Sequence, residues 1–467
     1  MSIKHIHFSG ICGTAMGAVA SAMARQGYCI TGSDENVYPP MSTFLEQEGI
    51  EVFQGYKPSN IPESADLVVI GNAMSRGNAE VEEVLRRGLR YMSLPEAMKE
   101  FFLWGKKNFV VTGTHGKTTT TSMLAWLMED NGLNPGFMIG GIARNLGRGG
   151  RFTDSDYCVL EGDEYDTAFF DKRSKFLHYL PKVVIINNIE MDHADIYANV
   201  EEIKLSFKRL LRVVPGDGIV FLNADCPNCR EVQQHAAGEL RSCVRVVSVG
   251  MGEDAERRIT DVELRPEGSA FTLEGERYEI PMVGEFNVRN AAMAACAALF
   301  AGLTPEQIRA SFLKFEGVAR RQEVRGTVNE VTVVDDFAHH PTAVAQAVQG
   351  LRQRFPKSRL WVLFDPRSNT MIRNLFQHEL AASLSKADFV VLSPVENFKK
   401  LAPEERLNLA DLCAEVQALG TDCYQGKSID DIVANVVARV HPGDVLLVMS
   451  NGGFGGIHSK MLTALAQ

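Results

Sequence analysis

The sequence predicts an α/β protein of three domains: a Rossmann-like first domain, a central domain built on a phosphate-binding loop, and a Rossmann-like third domain. Three observations carry this reading. At 467 residues the chain is long enough for about three domains. Short apolar strands alternate with helical patterns along its length, as in parallel sheets covered by helices. Glycine-rich turns follow apolar strands at Gly10–Gly17 and Gly113–Gly116, where such folds bind phosphates.

The composition narrows the function classes. Hydrophobic residues at 45% and charged residues at 23% belong to an ordinary globular protein with a large core. A net charge of −10 argues against nucleic-acid or anionic-membrane partners, so the phosphates of a substrate must be met by a local basic pocket. Nine scattered cysteines, and first residues without a secretion-type apolar core, lead us to expect a reducing cytoplasm. No window approaches the ~18 uninterrupted apolar residues of a membrane span. Cys226-Pro-Asn-Cys229 is the one C-x-x-C and reads as an ordinary loop, because no second pair accompanies it.

In the first domain, Lys4–Ser9 reads as a strand, followed by the turn Gly10-Ile-Cys12-Gly13-Thr14-Ala-Met-Gly17 and a helix rich in Ala and Met. A second strand, Tyr28–Thr31, ends in Gly32-Ser33-Asp34. The spacing G-x-x-G-x-x-x-G is not the dinucleotide fingerprint, so NAD is poorly supported. A nucleotide diphosphate at the helix N-terminus and a purely structural turn both stay open. A third strand, Asp66–Gly71, leads to the loop Asn72–Asn78, an expected place for ligand contacts.

The central domain opens on Phe109-Val-Val-Thr112, Gly113-Thr114-His115-Gly116 and Lys117-Thr118-Thr119, a strand, a glycine turn and a helix start. Backbone N–H groups and Lys117 suit phosphate oxygens, and the Thr118 hydroxyl suits Mg²⁺. The general motif places a glycine at position 111, which is Val here, so the loop is shorter. Strands Tyr157–Glu161 and Val183–Asn187 end in the polar runs Glu161–Asp166 and Glu190–Asp195. These bring Glu161 and His193 forward as metal candidates, with Asp192 and Asp195 able to fix the imidazole tautomer. Lys208 reads as a surface lysine. In the third domain, strands are expected at 331–335, 360–364, 389–393 and 445–450. Of the adjacent His339 and His340, at most one need be functional. Arg367, Ser368 and Asn369 offer a charged donor and two polar groups suited to a carboxylate-bearing peptide.

Gly113–Thr119, the Glu161–Asp166 run, Asp192-His193, Asn287 with Asn290, Arg320-Arg321 and Asp335-Asp336 together resemble the Mur ligases over the whole chain. The resemblance implies a three-domain Mur ligase architecture: a UDP-sugar-binding domain over 1–105, a central ATPase domain over 106–318, and an amine-substrate domain over 319–467. It implies that Gly113, Thr114, His115, Gly116, Lys117, Thr118, Thr119, Asn290, Arg321 and Asp336 bind ATP. UDP-sugar contacts fall to Gly10, Cys12, Gly13, Thr14, Ser33, Asp34, Asn72 and His115, and peptide contacts to Arg367, Ser368 and Asn369. Lys117, Glu161 and His193 are the implied catalytic groups, with Thr118, Glu161 and His193 as Mg²⁺ ligands. The implied reaction is ATP-dependent amide formation on UDP-N-acetylmuramate through an acyl phosphate.

Asn36–Ser42, Ile70–Met74, Phe169–Lys175, Pro366–Met371 and Met449–His458 resemble the family member that takes a murein tripeptide, L-Ala-γ-D-Glu-meso-diaminopimelate, in peptidoglycan recycling. Addition of free L-alanine and a non-catalytic, nucleotide-gated UDP-sugar binder stay open. Two departures stand out. Phe286 replaces a family histidine, and Phe337 stands where relatives often have Tyr.

Overall fold

The computed structural model describes residues 3–39, 41–239, 244–395, 398 and 401–467; Met1 and Ser2 of the leading segment and Pro40 of the Asn36–Ser42 stretch lie outside the described residues. The chain forms two compact units. The first takes Met1–Glu190, Val200–Arg258 and Met293–Ser311, and the second Met191–Asn199, Ile259–Ala292 and Phe312–Gln467.

The first unit holds two main sheets. Strands β1 (His5–Ser9), β2 (Cys29–Asp34), β3 (Glu51–Gln54), β4 (Leu67–Ile70) and β5 (Tyr91–Ser93) pair in parallel in the order β3-β2-β1-β4-β5. β4 is buried at every residue, as expected of a parallel strand covered on both faces. The helix Thr14–Arg25 buries Met16, Val19, Ala20 and Met23, a single stripe at helical spacing. Chain order reverses on either side of β1, so the turn after it lies at the switch point where such sheets bind ligands. β2 runs three residues beyond its expected end. Gly32 permits this, because a Cβ there would lie 2.5 Å from Ile11 Cδ1.

The second sheet contains β6 (Lys107–Thr112), β7 (Gly136–Met138), β8 (Gly150–Arg151), β9 (Tyr157–Glu161), β12 (Pro181–Ile186), β13 (Ile219–Asn223) and β14 (Arg245–Gly250). Between β9 and β12 the chain forms a separate hairpin of β10 (Asp166–Ala168) and β11 (Asp171–Ser174). The order is β14-β13-β12-β6-β9-β7-β8, parallel except for β8. β6 therefore sits between β9 and β12, and the polar ends of all three strands meet at one edge.

The second unit contains a meander of β15 (Arg257–Arg265, from Ile259 onward), β16 (Gly268–Leu273) and β17 (Glu276–Ile280). It also contains a sheet of β18 (Glu323–Val328), β19 (Val331–Asp336), β20 (Leu360–Phe364), β21 (Phe389–Leu392), β22 (Asp422–Gln425) and β23 (Val445–Met449). Its order is β18-β19-β23-β20-β21-β22, parallel except for β18. Apolar clusters cover both faces, one around Val362, Phe364 and Leu447, the other around Trp361, Leu363 and Ile457. All four expected strands are present within a residue of their ends. The sequence carries no clear pattern for the meander or β18, since half-exposed antiparallel strands such as β15 have few apolar residues. Among the described residues no helix is long and apolar enough to cross a membrane.

Candidate active site

The turn after β1 is tied to β2. Gly10 and Ile11 N–H groups donate to Ser33 O at 2.8 and 3.0 Å, and Cys12 N–H donates to the Asp34 carboxylate at 3.0 Å. Gly10 has φ +89°, a conformation that favours glycine. Gly13 caps the helix Thr14–Arg25, which has no side-chain cap and no acidic residue in its first turn. Gly13, Thr14 and Asn72 are exposed, whereas Ser33 and Asp34 are buried and engage the turn's backbone. The last two therefore support the loop rather than line its outer face.

At the end of β6, Gly113 has φ +124°, and a Cβ there would come within 2.9 Å of the Asn188 backbone. Asn188 clamps the loop: its Oδ1 accepts His115 N–H at 2.7 Å, its Nδ2 donates to His115 O at 3.2 Å, and its O accepts Thr114 N–H at 3.1 Å. Thr114 Oγ1 accepts Glu190 N–H at 2.8 Å, and the His115 imidazole stands 3.4 Å from the Glu190 carboxylate. Gly116, at φ +79°, starts the helix Lys117–Asp130, whose first turn carries no acid. Thr119 is buried in that turn.

Two carboxylates meet this helix start. Thr118 Oγ1 donates to Glu161 Oε1 at 2.9 Å, and Gly140 N–H donates to Glu161 Oε2 at 2.6 Å. Lys117 Nζ donates to both oxygens of Glu164, at 2.7 and 3.0 Å. Burial disfavours the ammonium, but Glu164, Asp163 and Glu161 more than offset it and push the Lys117 pKa above its ordinary value. The lysine is thus a permanent cation with carboxylate partners. Hydroxyl and carboxylate oxygens are hard donors, so Thr118 and Glu161 fit Mg²⁺.

In the second unit, the segment Met191–Asn199 is fastened to the loop after β20. Thr370 Oγ1 donates to the buried Asp192 at 2.7 Å, Asn369 Nδ2 donates to Asp195 at 2.7 Å, and His340 Nε2 lies 3.1 Å from Met191 O. His193 itself has φ +54°, an uncommon conformation for a side-chain-bearing residue. Burial would raise the Asp192 carboxyl, but His193, His339, His340 and the Thr370 hydroxyl outweigh it and hold it well below the usual range. His193 and Asn369, expected to serve metal and peptide, are thereby brought into one neighbourhood.

His340 caps the helix Pro341–Arg354, while the His339 ring contacts Phe337 O at 3.1 Å. Arg320 and Arg321 stack over Phe337 at 5.2 and 4.8 Å. Asp336 accepts Gln322 and Ala338 N–H groups at 2.8 and 2.7 Å. Burial raises its carboxyl, and Arg321 opposes that rise in part. Asn290 Nδ2 donates to Asn287 Oδ1 at 3.2 Å, and the Phe286 ring packs over Gly284, where a Cβ would lie 2.4 Å from it.

Arg367 is half exposed and 3.6 Å from Asp365, a carboxylate that also accepts from Ser393 and Ser450. Its guanidinium lies over Gly452, where a Cβ would come within 2.7 Å of Nη1. Ser368 Oγ accepts Met371 N–H at 3.1 Å.

Lys208 is half-buried on the helix Val200–Leu211. Cys226 directly precedes the helix Pro227–Glu239, so the C-x-x-C opens a helix rather than forming a loop. Sequence reasoning passed over Glu164, Asn188, Thr370 and Asp365 as site residues. Glu164 had a signal, its place three residues after Glu161. Thr370 acts across a long sequence separation that no local pattern records, and so do the bonds from Ser393 and Ser450 that fix Asp365, although Asp365 stands only two residues from Arg367.

The chain matches the Mur ligase family, catalytic domain, over residues 5–103, the Mur ligase middle domain over 111–298, and the Mur ligase, glutamate ligase domain over 320–452. It is 42% identical to the UDP-N-acetylmuramate–L-alanyl-γ-D-glutamyl-meso-2,6-diaminoheptandioate ligase of Haemophilus influenzae, over 99% of both chains. It is 41% identical to the ligase of the same name from Escherichia coli, over 99% of this chain and 98% of that one. The crystal structure of a murein peptide ligase from Psychrobacter arcticus is similar at TM-score 0.73 and 34% identity, with 99% of each chain covered.

Proposed function

The chain belongs to the Mur ligase family, and on that premise we propose that it joins UDP-N-acetylmuramate to the tripeptide L-Ala-γ-D-Glu-meso-diaminopimelate, with ATP converted to ADP and phosphate. The observation that carries this reading is the near full-length identity to two ligases of that specificity, in a chain that keeps the Lys117, Thr118 and Glu161 constellation. Peptidoglycan recycling in the cytoplasm is the setting we infer. We divide the chain at about 105 and 318 into UDP-sugar, ATPase and amine-substrate domains, a division that the three family matches support.

In the reaction, an oxygen of the lactyl carboxylate attacks the γ-phosphorus and ADP leaves. The peptide α-amine then attacks the acyl carbon, loses a proton, and expels phosphate. Charge accumulates on phosphoryl oxygens, and Lys117 meets it by exchanging its Glu164 contacts for phosphate oxygens. Thr118 and Glu161 would hold Mg²⁺, which supplies Lewis-acid neutralisation of the phosphates when bound. His193 is assigned to a second metal ion because of its place in the family pattern. Arg367, Ser368 and Asn369 receive the peptide. An α-amine pKa of about 8 leaves enough free amine near neutrality for only modest base assistance.

The test is isotopic. UDP-N-acetylmuramate carrying ¹⁸O in its lactyl carboxylate should deliver one ¹⁸O to each phosphate released, together with a product of the mass of the tripeptide conjugate. Unlabelled phosphate beside that product would reject the acyl-phosphate route.

A further inference from the structure

Beneath the first glycine turn lies a carboxylate that the reaction above does not use. Glu80 stands in the first turn of the helix Ala79–Arg87, whose N-cap Asn78 accepts Glu80 and Val81 N–H groups at 3.0 and 3.3 Å. A first-turn glutamate ordinarily reaches solvent near the positive end of its helix. This one turns inward and has 0% exposure. Its Oε2 accepts the hydroxyls of Ser9 at 2.6 Å and Ser33 at 2.5 Å; its Oε1 accepts Asn60 Nδ2 at 2.9 Å. The buried His7 imidazole stands 3.6 Å away.

The two serines give these contacts a direction. Ser9 and Ser33 are register partners on β1 and β2. Ser9 is the last residue before Gly10, and Ser33 O holds both Gly10 and Ile11 N–H groups. Asp34, the next residue, holds Cys12 N–H. One carboxylate thus grips both strand ends from below, while the backbone of those same residues shapes the turn above. Burial opposes the charge of Glu80, but the neighbouring His7 and the hydrogen bonds from Ser33 and Ser9 outweigh it and keep the carboxyl below its ordinary value. A buried charge is a poor way to gain stability alone, so the arrangement calls for another role.

We propose that Glu80 is a positioning residue of the nucleotide-sugar site, acting through Ser9 and Ser33 to hold the Gly10–Gly13 turn in the form that receives a nucleoside diphosphate. The inference rests on the first domain being the UDP-sugar domain. The experiment measures UDP-N-acetylmuramate and ATP binding separately by calorimetry on the full chain, with melting temperature as a control. Glu80→Gln keeps the shape but puts an NH₂ where an accepting oxygen stood; Ser9→Ala removes one donor, and serves alone if the Glu80 variant does not fold. Both should weaken UDP-N-acetylmuramate binding about tenfold, as loss of a charge-assisted hydrogen bond would, and leave ATP affinity within about twofold. In turnover, KM for the nucleotide sugar should rise while kcat holds. Unchanged sugar affinity, or an equal fall for ATP, overturns the inference alone. Failure of the wild type to bind UDP-N-acetylmuramate overturns the functional reading and this inference with it.

Discussion

Glu161 joins Thr118 and Gly140 at the start of the phosphate-loop helix, so its removal takes away a loop anchor and, on the proposed reading, a metal ligand. Glu161→Ala is expected to lower phosphate release by about 100-fold or more, as losses of transition-state charge stabilisation commonly do. UDP-N-acetylmuramate binding should survive, and parallel loss of both in a binding assay would contradict the separation of roles. Gly113→Ala tests the loop backbone: φ +124° and the 2.9 Å approach to Asn188 leave no room for a methyl group. ATP affinity should fall while the nucleotide sugar still binds. At this scale the sequence was informative where residues are adjacent in the chain. Lys117, Thr118 and the acidic run were legible because a strand, a turn and a helix start are read in order. The pairing of Lys117 with Glu164 rather than another member of that run, and the Thr370–Asp192 bond, were not, since a contact across 47 or 178 residues does not reveal its partner in the sequence.

Among the elements, the β10–β11 hairpin offers a direct electrostatic test. Asp171 accepts from Arg173 N–H and Nε at 3.0 and 2.9 Å, and His178 Nε2 lies 3.0 Å from it. Burial raises its carboxyl, but Arg173 and His178 together bring it down to about 2. Because the folded value lies below the unfolded value of about 3.9, the stability it contributes is present above pH ~4 and lost as pH falls toward 2. Asp171→Asn should therefore destabilise the protein at pH 7, and its denaturation midpoint should converge with that of the wild type near pH 2. A constant difference across that range would contradict the assignment. Parallel strands such as β4 and β23 were readable as continuous apolar runs, but the half-exposed β15 and β18 lacked that pattern. Helix starts were legible after the glycine turns at Gly13 and Gly116, but not at Pro227, where the residues read as a loop. The glycine at position 32 read as a strand end, yet it lies inside β2 because Ile11 packs against it.

For the molecule as a whole, the three-domain α/β reading followed from length, alternation and two glycine turns, and the matched Mur ligase domains have that organisation. Ligands should stabilise it by mass action: UDP-N-acetylmuramate at about 100 times its Kd should add about 2.7 kcal/mol. A melting temperature indifferent to that ligand would count against the first domain's role. Acceptor choice is the least local property on the proposed reading, because Arg367, assigned there to the peptide, is seated by its near neighbour Asp365 and by Gly452 of the distant loop after β23. The most direct measurement is competition in one vessel: Mg-ATP and UDP-N-acetylmuramate with equal L-alanine and L-Ala-γ-D-Glu-meso-diaminopimelate, products resolved by mass. The tripeptide conjugate should dominate, with one phosphate released per amide. Dominance of the L-alanine product would contradict the proposed specificity, and the absence of either product would contradict ligase activity itself.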